Sequence, residues 1–261
     1  MAQTDREPVT IDTRTLPRGE AAWVTVDRRE RLNALDSGLM DRLMAELAPL
    51  ADRRGLRAVV LAGAGGKAFI GGADIDEMAR IRKPEQAEAF IRRVHGVCRC
   101  LRDLPVPVIA RVDGYALGAG MEVAAACDVR VASTDAVFGM PEVKVGIPSV
   151  IEAALLPGLI GWGHTRELLL FGRSIDAETA SRWGFVDRLV APGELDAAID
   201  EYLDALSEAG PRAVTRQKRL IRQWEALPLD EAIEAGVRAF AAAWDEDEPV
   251  AMLDAFTRQR R

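Results

Sequence analysis

Histidine is scarce in this 261-residue sequence, which contains only His95 and His164. So few histidines exclude a multi-histidine metal centre, and any histidine-dependent catalytic triad has to use one of these two. Neighbouring arginines predict a surface position for His95, and the residues around His164 are typical of a helix start. The sequence also lacks a GxSxG motif, which argues against a serine hydrolase of the type that carries it.

Cysteine is scarce as well: there are three, and Cys98 and Cys100 form a CxC rather than a CxxC pair. An odd number of cysteines without a paired motif predicts a reducing compartment. The first 20 residues are polar and charged, without the apolar segment of a secretory signal. We therefore expect a cytoplasmic protein.

Long hydrophobic runs and an excess of positive charge are also missing. The most apolar long stretch, residues 104–127, carries Arg111, Asp113 and Glu122, so it is a poor membrane span and is better interpreted as buried core. The net charge of −7 argues against a nucleic-acid partner or an anionic membrane. With 49% hydrophobic residues, the composition is that of a soluble globular protein with a full core.

Strands alternate with helices through the first two-thirds of the chain, which predicts an α/β fold with crossover connections. Strands are predicted at residues 8–12, 21–27, 57–62, 106–112, 128–132, 136–138 and 186–190. Helices are predicted after a cap at Asp36 or Ser37, and over residues 90–101 and 121–126. From residue 193 the pattern is entirely helical, so we divide the chain into an α/β core (1–195) and a helical tail (196–261).

Two glycine-rich segments, residues 63–72 and 118–120, mimic nucleotide-binding loops. In the first, further glycines follow the GxGxxA match before a helix can open. The second opens a helix with Glu122 in its first turn, where a carboxylate would repel phosphate, so a dinucleotide site is disfavoured. The backbone N–H groups of Ala73 and Ala119 could instead hold one carbonyl oxygen in an oxyanion hole, although spacing alone favours two ordinary tight turns.

Glu122 and Glu142 are the candidate acid/base residues. Glu122 is flanked by apolar or small residues, where burial would raise its pKa and a helix N-terminus would lower it. Paired carboxylates with differently tuned pKa values are typical of acid/base catalysis. The structural alternative is that Glu122 caps a helix or pairs with Arg111 or Arg130, and that Glu142 lies on a solvated turn.

One predicted tail helix carries a cluster of basic residues. Such a cluster is usually a solvated face, although it could meet ligand phosphates. Its members are Arg212, Arg216, Lys218, Arg219 and Arg222.

Four segments of the sequence, taken together, match the motifs of one known family, whereas any one of them alone would be a weak match. They are RLNAL (31–35), RAVVLAGAGGKAFIGGADIDEM (57–78), PVIARVDGYALGAGMEVAAACDVRVAS (107–133) and AVFGMPEVKVGI (136–147), with a weaker match in IDAETASRWGFVDRLV (175–190). In this order they resemble the crotonase (enoyl-CoA hydratase/isomerase) superfamily. The combination of GADI, GxALGxGxE and FGxPE is highly specific.

The resemblance implies a spiral of repeated β-β-α units, a C-terminal helical trimerisation region, and a homotrimer or dimer of trimers. It implies an acyl thioester of coenzyme A as ligand, with coenzyme A as part of the substrate and neither a separate cofactor nor a metal. Because hydratase-like members carry both glutamates, the implied activity is that of an enoyl-CoA hydratase. The alternatives are an isomerase, a hydrolase or lyase of the superfamily, and a non-catalytic acyl-CoA-binding protein.

The resemblance also implies residue roles. Glu122 and Glu142 are the catalytic pair, one removing a proton from water while the other positions that water. The N–H groups of Ala73 and Ala119 hold the thioester oxygen; many relatives have glycine at the second position, but alanine keeps the N–H. The residues implied in substrate binding are Arg31, Leu32, Ala34, Gly71, Gly72, Asp74, Ile75 and Gly118.

Two segments depart from the superfamily pattern. Residues 146–155 are GIPSVIEAAL in place of a glycine-rich PGAGG-type stretch and a Thr-Gln-Arg. Bulk at Val150 and Ile151 is expected to reshape the acyl pocket, and Glu152 adds a third carboxylate. Residues 245–248, DEDE, replace a more typical Asp-x-Lys-Glu-Gly run, which weakens the case for a phosphate contact there. Acyl specificity therefore stays open.

Overall fold

Two β-sheets and their surrounding helices make up residues 7–259, the part of the chain that the computed structural model describes. The strands are β1 Val9–Leu16, β2 Gly19–Val26, β3 Leu56–Gly63, β4 Ala68–Ile70, β5 Val108–Val112, β6 Tyr115–Leu117, β7 Val129–Ser133, β8 Val137–Gly139, β9 Ser174–Asp176 and β10 Arg188–Val190. The helices are α1 Ser37–Leu47, α2 Ile75–Met78, α3 Pro84–Asp103, α4 Ala119–Ala126, α5 Leu156–Phe171, α6 Ala177–Arg182, α7 Leu195–Glu208, α8 Pro211–Trp224, α9 Leu229–Ala243 and α10 Glu248–Gln259. Short 3-10 helices cover Arg29–Arg31, Ala48–Asp52, Glu142–Val145 and Ile151–Leu155.

The larger sheet has the strand order β1-β2-β3-β5-β7-β10, and the smaller has the order β4-β6-β8-β9. β1 is antiparallel to β2 and β9 to β8, while the other neighbouring strands are parallel. Each of β3, β5 and β7 is followed by a strand of the smaller sheet and then by a helical segment. This repeat is a β-β-α spiral, and the predicted fold class is confirmed.

β3 shows why the larger sheet is buried on both faces. Its sequence LRAVVLAG is buried at every position before the final glycine, as expected of a parallel strand covered on both sides. Successive side chains point to opposite faces. Val59 and Leu61 therefore join the main core with α1 and α3, whereas Ala58 and Val60 pack with α7. The sheet lies between two helical layers.

The helices follow their predicted positions better than the short strands do. Asp36, one of the two predicted caps, accepts a hydrogen bond from the backbone N–H of Leu39 at 2.8 Å and starts α1. α3 begins before the predicted residue 90, because its first turns are exposed and give no apolar periodicity. The sequence pattern does not predict the three-residue strands β4, β6 and β9, although it does predict β8, which is equally short.

Two buried cations tie the tail to the core. Arg57 of β3 donates a hydrogen bond to the carbonyl oxygen of Ala209, just beyond α7, at 2.6 Å. Lys218 of α8 donates to the carbonyl oxygen of Val106 at 2.9 Å and pairs with Asp128 at 2.7 Å. The predicted division at 195/196 falls at the start of α7 and stays a prediction.

The basic cluster of α8 is not the uniform solvated face that its sequence predicts. Lys218 is buried, because the core supplies a carboxylate and carbonyl oxygens as acceptors. Arg212 and Arg216 both pair with Glu246, at 3.1 Å and 2.7 Å. Arg222 lies near a carboxylate of α3. Most of these charges are therefore engaged within the chain.

Helices α9 and α10 expose apolar side chains at helical spacing. Each of the following is at least half exposed: Leu229, Ile233, Val237, Phe240, Val250, Leu253 and Phe256. Exposed apolar helix faces of this kind are typical of interaction sites. No helix within residues 7–259 has both the length and the hydrophobicity to cross a membrane.

Candidate active site

The two glycine-rich segments come together at one cavity. Residues 71–73 follow β4 and residues 117–119 join β6 to α4, and β4 and β6 are parallel neighbours, so their carboxyl ends lie side by side. The cavity has a volume of about 290 Å³. Both segments line it together with Glu122 and Glu142. The structure thus collects the predicted carboxylates and the predicted amide donors at a single place.

The backbone N–H of Ala73 is not used in pairing with the neighbouring segment at Leu35. Leu35 forms an isolated parallel bridge with Ala73. The N–H of Leu35 donates to the carbonyl of Gly72 at 2.8 Å, and its carbonyl accepts from the N–H of Asp74 at 2.9 Å. A parallel bridge of this kind uses the groups on either side of the bridged residue, so the N–H of Ala73 points away from Leu35. Ala73 itself lines the cavity.

Ala119 is the first residue of α4, so its N–H has no acceptor within the helix. The positive end of the helix dipole lies at the same place. Gly118 has φ +51° and donates from its N–H to the carbonyl of Gly139 at 2.8 Å, which fixes the turn. A Cβ at position 118 would lie 2.5 Å from Oε1 of Glu142. The positive φ therefore favours glycine here, and a Cβ would in addition displace the carboxylate of Glu142.

Glu122 lies in the first turn of α4 and is only 4% exposed. Its Oε1 accepts a hydrogen bond from the backbone N–H of Ala153 at 3.1 Å. Burial raises the pKa of Glu122 to about 8; the hydrogen bond from Ala153 opposes this rise, and the negative charges of Glu142 and Glu152 add to it. Burial therefore outweighs the hydrogen bond from Ala153, and the pKa of Glu122 is raised, a direction that the sequence leaves undecided.

The alternative in which Glu122 pairs with an arginine is wrong. Arg111 pairs with Asp196 at 2.6 Å, and Arg130 pairs with Asp187 at 2.7 Å. Arg111 lies on β5 and Arg130 on β7. Asp196 lies on α7, and Asp187 lies directly before β10. Glu122 is left with a backbone N–H as its protein donor on the cavity wall.

Glu142 begins the 3-10 helix that follows β8, and its partly buried side chain lines the cavity. The hydroxyl of Ser149 donates to its Oε2 at 2.7 Å. One carboxylate oxygen is therefore fixed by the protein, and the alternative of a fully solvated turn does not hold for this side chain.

Four of the predicted substrate-binding residues line the cavity. They are Gly71, Gly72, Ile75 and Gly118. Ile75 is 58% exposed, which places an apolar side chain at the cavity mouth. Their contact with a substrate stays a prediction.

Asp74, a fifth predicted substrate-binding residue, supports the wall instead of lining it. Its carboxylate caps α2 by accepting from the N–H of Glu77 at 2.9 Å, and it pairs with Arg28 at 2.7 Å. Burial pushes the pKa of Asp74 upwards, but these two partners prevail and hold it below the ordinary value.

The remaining three, Arg31, Leu32 and Ala34, form the turn behind the cavity wall. The carbonyl of Leu32 accepts from the N–H of Gly71 at 2.8 Å. Arg31 pairs with Asp76 at 2.7 Å, with both side chains exposed. The carbonyl of Ala34 accepts from the Arg28 guanidinium at 2.8 Å. Their role in substrate binding also stays a prediction.

Several residues of the site escape sequence reasoning. Met78, Phe90 and Ile91 form an apolar wall of the cavity, and Lys144 lines it as well. Phe90 and Ile91 carry a signal only as apolar positions of a helix, which does not distinguish a cavity wall from core. Ser149 lies in the segment that departs from the superfamily pattern, so no motif assigns it a role. Within the described residues, no three His, Cys, Asp or Glu side chains are grouped to hold a metal ion.

Comparison with known proteins identifies the family and agrees with the fold. The profile of the enoyl-CoA hydratase/isomerase family matches residues 18–261. The chain is 34% identical over 244 residues to a short-chain-enoyl-CoA hydratase of Clostridium acetobutylicum, covering 93% of each protein. It is 30% identical to a crotonyl-CoA hydratase of Syntrophomonas wolfei, covering 92% of each. The chain belongs to the enoyl-CoA hydratase/isomerase family, and the resemblance to the crotonase superfamily is confirmed.

Solved structures show the same fold. An enoyl-CoA hydratase from Mycobacterium smegmatis superposes with a TM-score of 0.92 at 30% identity, covering 98% of each chain. An enoyl-CoA hydratase from Bacillus anthracis gives a TM-score of 0.91 at 29% identity, covering 97% of each chain. The spiral and the tail helices are therefore both features of this family.

Proposed function

We propose that the chain is an enoyl-CoA hydratase, which adds water across the 2,3 double bond of an α,β-unsaturated acyl-CoA thioester. The observation that carries the proposal is that Glu122 and Glu142 line the same cavity as the backbone amides of Ala73 and Ala119. The names of the relatives from Clostridium acetobutylicum and Syntrophomonas wolfei support the same reaction.

The reaction follows from these groups. The N–H groups of Ala73 and Ala119 bind the thioester oxygen and draw electrons from the conjugated double bond. Glu122, in the ionised minority form that a pKa of about 8 leaves at neutral pH, removes a proton from water, whose oxygen bonds to the β-carbon. The electron pair of the double bond moves towards the thioester oxygen, where the two amides stabilise the enolate charge; removing one such donor typically costs about 10²–10³ in rate. Glu142, or the pair through the shared water, supplies the proton that the α-carbon takes.

Each glutamate has one oxygen held and one open to a water. Ala153 occupies Oε1 of Glu122 and Ser149 occupies Oε2 of Glu142. Among residues 7–259 no hydrogen-bond donor occupies the other oxygen of either side chain. The two open oxygens suit a single water held between the carboxylates. Coenzyme A then enters only as part of the substrate, since carboxylates and amides supply all the groups that the addition needs.

The cavity suits a short hydrocarbon acyl chain. Met78, Phe90, Ile91 and Val150 line it with apolar surface. Its volume of about 290 Å³ is near the lower end of the range for ligand pockets, about 300–1,000 Å³. Lys144 is the cation on the same wall and would meet a phosphate of coenzyme A.

We also propose a homotrimer or dimer of trimers in the cytoplasm. The exposed apolar face of α9 and α10 supports self-association, because such a surface is unfavourable in water. Light scattering of the purified protein at micromolar concentration measures this directly. A monomer would contradict the oligomer without affecting the proposed reaction.

The central test is hydration of crotonyl-CoA, followed by the loss of absorbance of the conjugated thioester. Glu122→Gln and Glu142→Gln should each abolish this change. Glu88→Gln, which removes an exposed carboxylate of α3, is the matched control and should keep wild-type rates. Unimpaired activity in the Glu122→Gln/Glu142→Gln double variant would overturn the mechanism.

Product analysis by mass spectrometry separates the alternatives. A gain of water identifies a hydratase, a conjugated product from a 3-enoyl-CoA identifies an isomerase, and free coenzyme A or chain cleavage identifies a hydrolase or lyase. Binding of acyl-CoA in a calorimeter without turnover on any thioester would identify a binding protein. Only the first outcome supports the proposal.

A further inference from the structure

The 3-10 helix Ile151–Leu155 carries a buried carboxylate that the proposed reaction does not use. The Glu152 side chain is 8% exposed, and its Oε1 lies 2.9 Å from Nδ1 of His95 on α3. Its Oε2 is buried without a hydrogen-bond partner in the described part of the chain. Burying a carboxylate oxygen without a hydrogen-bond donor destabilises the folded protein, so other interactions have to offset that cost.

The residue before Glu152 has a strained backbone. Ile151 has φ +41°, a conformation that β-branched residues rarely adopt. Such a conformation persists only where the surroundings hold it, and it is concentrated at functional sites. Two contacts hold this turn immediately afterwards: the Glu152 carboxylate bonds to His95, and the N–H of Ala153 bonds to Glu122.

The turn contacts both α3 and α4, and α4 carries Glu122. Its 3-10 helix packs against α3, α4 and α5. Cys98, one turn beyond His95 on α3, is buried, and burial followed by the charges of Glu152 and Glu122 raises the pKa of its thiol. Glu142 faces Glu122 from the other side of the cavity. Glu122 is thus surrounded by titratable groups on three elements.

We propose that His95 and Glu152 are positioning residues for Glu122. The hydrogen bond between them holds the strained turn at Ile151, and the turn keeps the N–H of Ala153 on Oε1 of Glu122. That contact leaves Oε2 of Glu122 for the water. The proposal rests on the proposed function, since it gives Glu122 the proton-transfer role.

The arrangement acts on Glu122 in two ways of opposite sign. The hydrogen bond from Ala153 lowers the pKa of Glu122, and the charge of Glu152 raises it. Substitutions that remove one influence at a time should therefore move the titration of Glu122 in opposite directions. The charge of Glu152 acts on Glu122 whatever the role of His95, so the His95 variants are the ones that test whether the pair holds the turn.

Three variants separate these influences. Glu152→Gln keeps the shape and an acceptor for His95 but removes the charge, so the titration of Glu122 should move to lower pH by about one unit. His95→Leu releases the turn and leaves Glu152 uncompensated, so the titration should move to higher pH by a similar amount and kcat should fall about tenfold with little change in KM. In His95→Asn the amide nitrogen takes the place of Nδ1, and both quantities should return towards the wild type.

Carbon NMR of protein labelled at the glutamate carboxyl carbons measures the titration without turnover, with Glu122→Gln used to assign the signal. Circular dichroism checks that each variant is folded; if His95→Leu is not, Glu152→Gln and His95→Asn still decide. If the titration stays in place in Glu152→Gln, or if His95→Asn behaves like His95→Leu, the positioning role is wrong. A wild type that titrates as expected but does not hydrate crotonyl-CoA would instead refute the proposed function.

Discussion

Replacing Glu122 with glutamine should stabilise the protein at alkaline pH. The pKa of Glu122 rises from 4.5 to about 8, with burial as the main cause. Each pH unit of difference between the folded and unfolded pKa corresponds to about 1.4 kcal/mol. Ionising this buried carboxyl therefore costs the folded state on the order of 5 kcal/mol.

The direction follows from proton binding. Because the folded-state pKa is the higher one, the folded protein binds more protons than the unfolded chain between pH 4.5 and about 8. Wild-type stability falls as the pH rises through this window. Glutamine keeps the size of the side chain and the acceptor for Ala153 but does not ionise. The variant should thus exceed the wild type by about 3–5 kcal/mol at pH 8.5 and by about 1 kcal/mol or less near pH 5.

Urea unfolding at these two pH values gives the comparison. All proteins are measured at one subunit concentration, since the apparent stability of an oligomer depends on it. Glu88→Gln serves as the control, because its exposed carboxylate should give the same small difference at both pH values. If the difference between Glu122→Gln and the wild type is equal at pH 5 and pH 8.5, the buried and protonated state of Glu122 is refuted.

Three further predictions concern the surroundings of the carboxylates. Ser149→Ala frees the oxygen of Glu142 that the hydroxyl holds, so kcat for crotonyl-CoA should fall about tenfold with KM nearly unchanged, and steady-state kinetics equal to the wild type would contradict this role. Gly118→Ala places a Cβ against Glu142 at a positive φ, so kcat/KM should fall about 10²-fold; activity within twofold of the wild type would exclude the clash. Asp74→Asn weakens the pairing with Arg28 and should lower the urea unfolding free energy by about 1–3 kcal/mol at pH 7. Because the pKa of Asp74 is lowered, its contribution to stability is present above the ordinary carboxyl pKa of 3.8 and is lost as the pH falls through the lower folded-state pKa, so the difference should shrink at acid pH, and a constant difference would contradict it.

The site residue that the sequence indicates most directly is Glu122. A carboxylate within a run of small and apolar residues conflicts with burial, and such local conflicts mark functional positions. Glu142 has no such conflict, and it becomes a candidate through its place in the FGxPE motif. The sequence also indicates the role of the glycines around both residues, because a positive φ or a close backbone approach permits few other residue types.

The contacts that tune the site are not readable from local patterns. Ser149, Ala153 and Phe90 reach the carboxylates or the cavity only after separate segments pack together. The same holds for Lys218, which sequence patterns assign to a solvated face. Its acceptors are supplied by the strand and helix ends of the core, and helical periodicity carries no information about them.

The two cations that join the tail to the core also set an order of events during folding. Arg57 finds its carbonyl acceptor at Ala209, 152 positions further along the chain, and Lys218 reaches back 90 positions to Asp128. Contacts this distant form slowly, because the long intervening loop has to close first. During synthesis β3 leaves the ribosome before the end of α7 has been made. At that stage the guanidinium of Arg57 has no acceptor at Ala209. The core is completed from its carboxyl-terminal side, and a chain that ends before residue 206 lacks both carbonyl acceptors of the buried Arg57, those of Leu206 and Ala209.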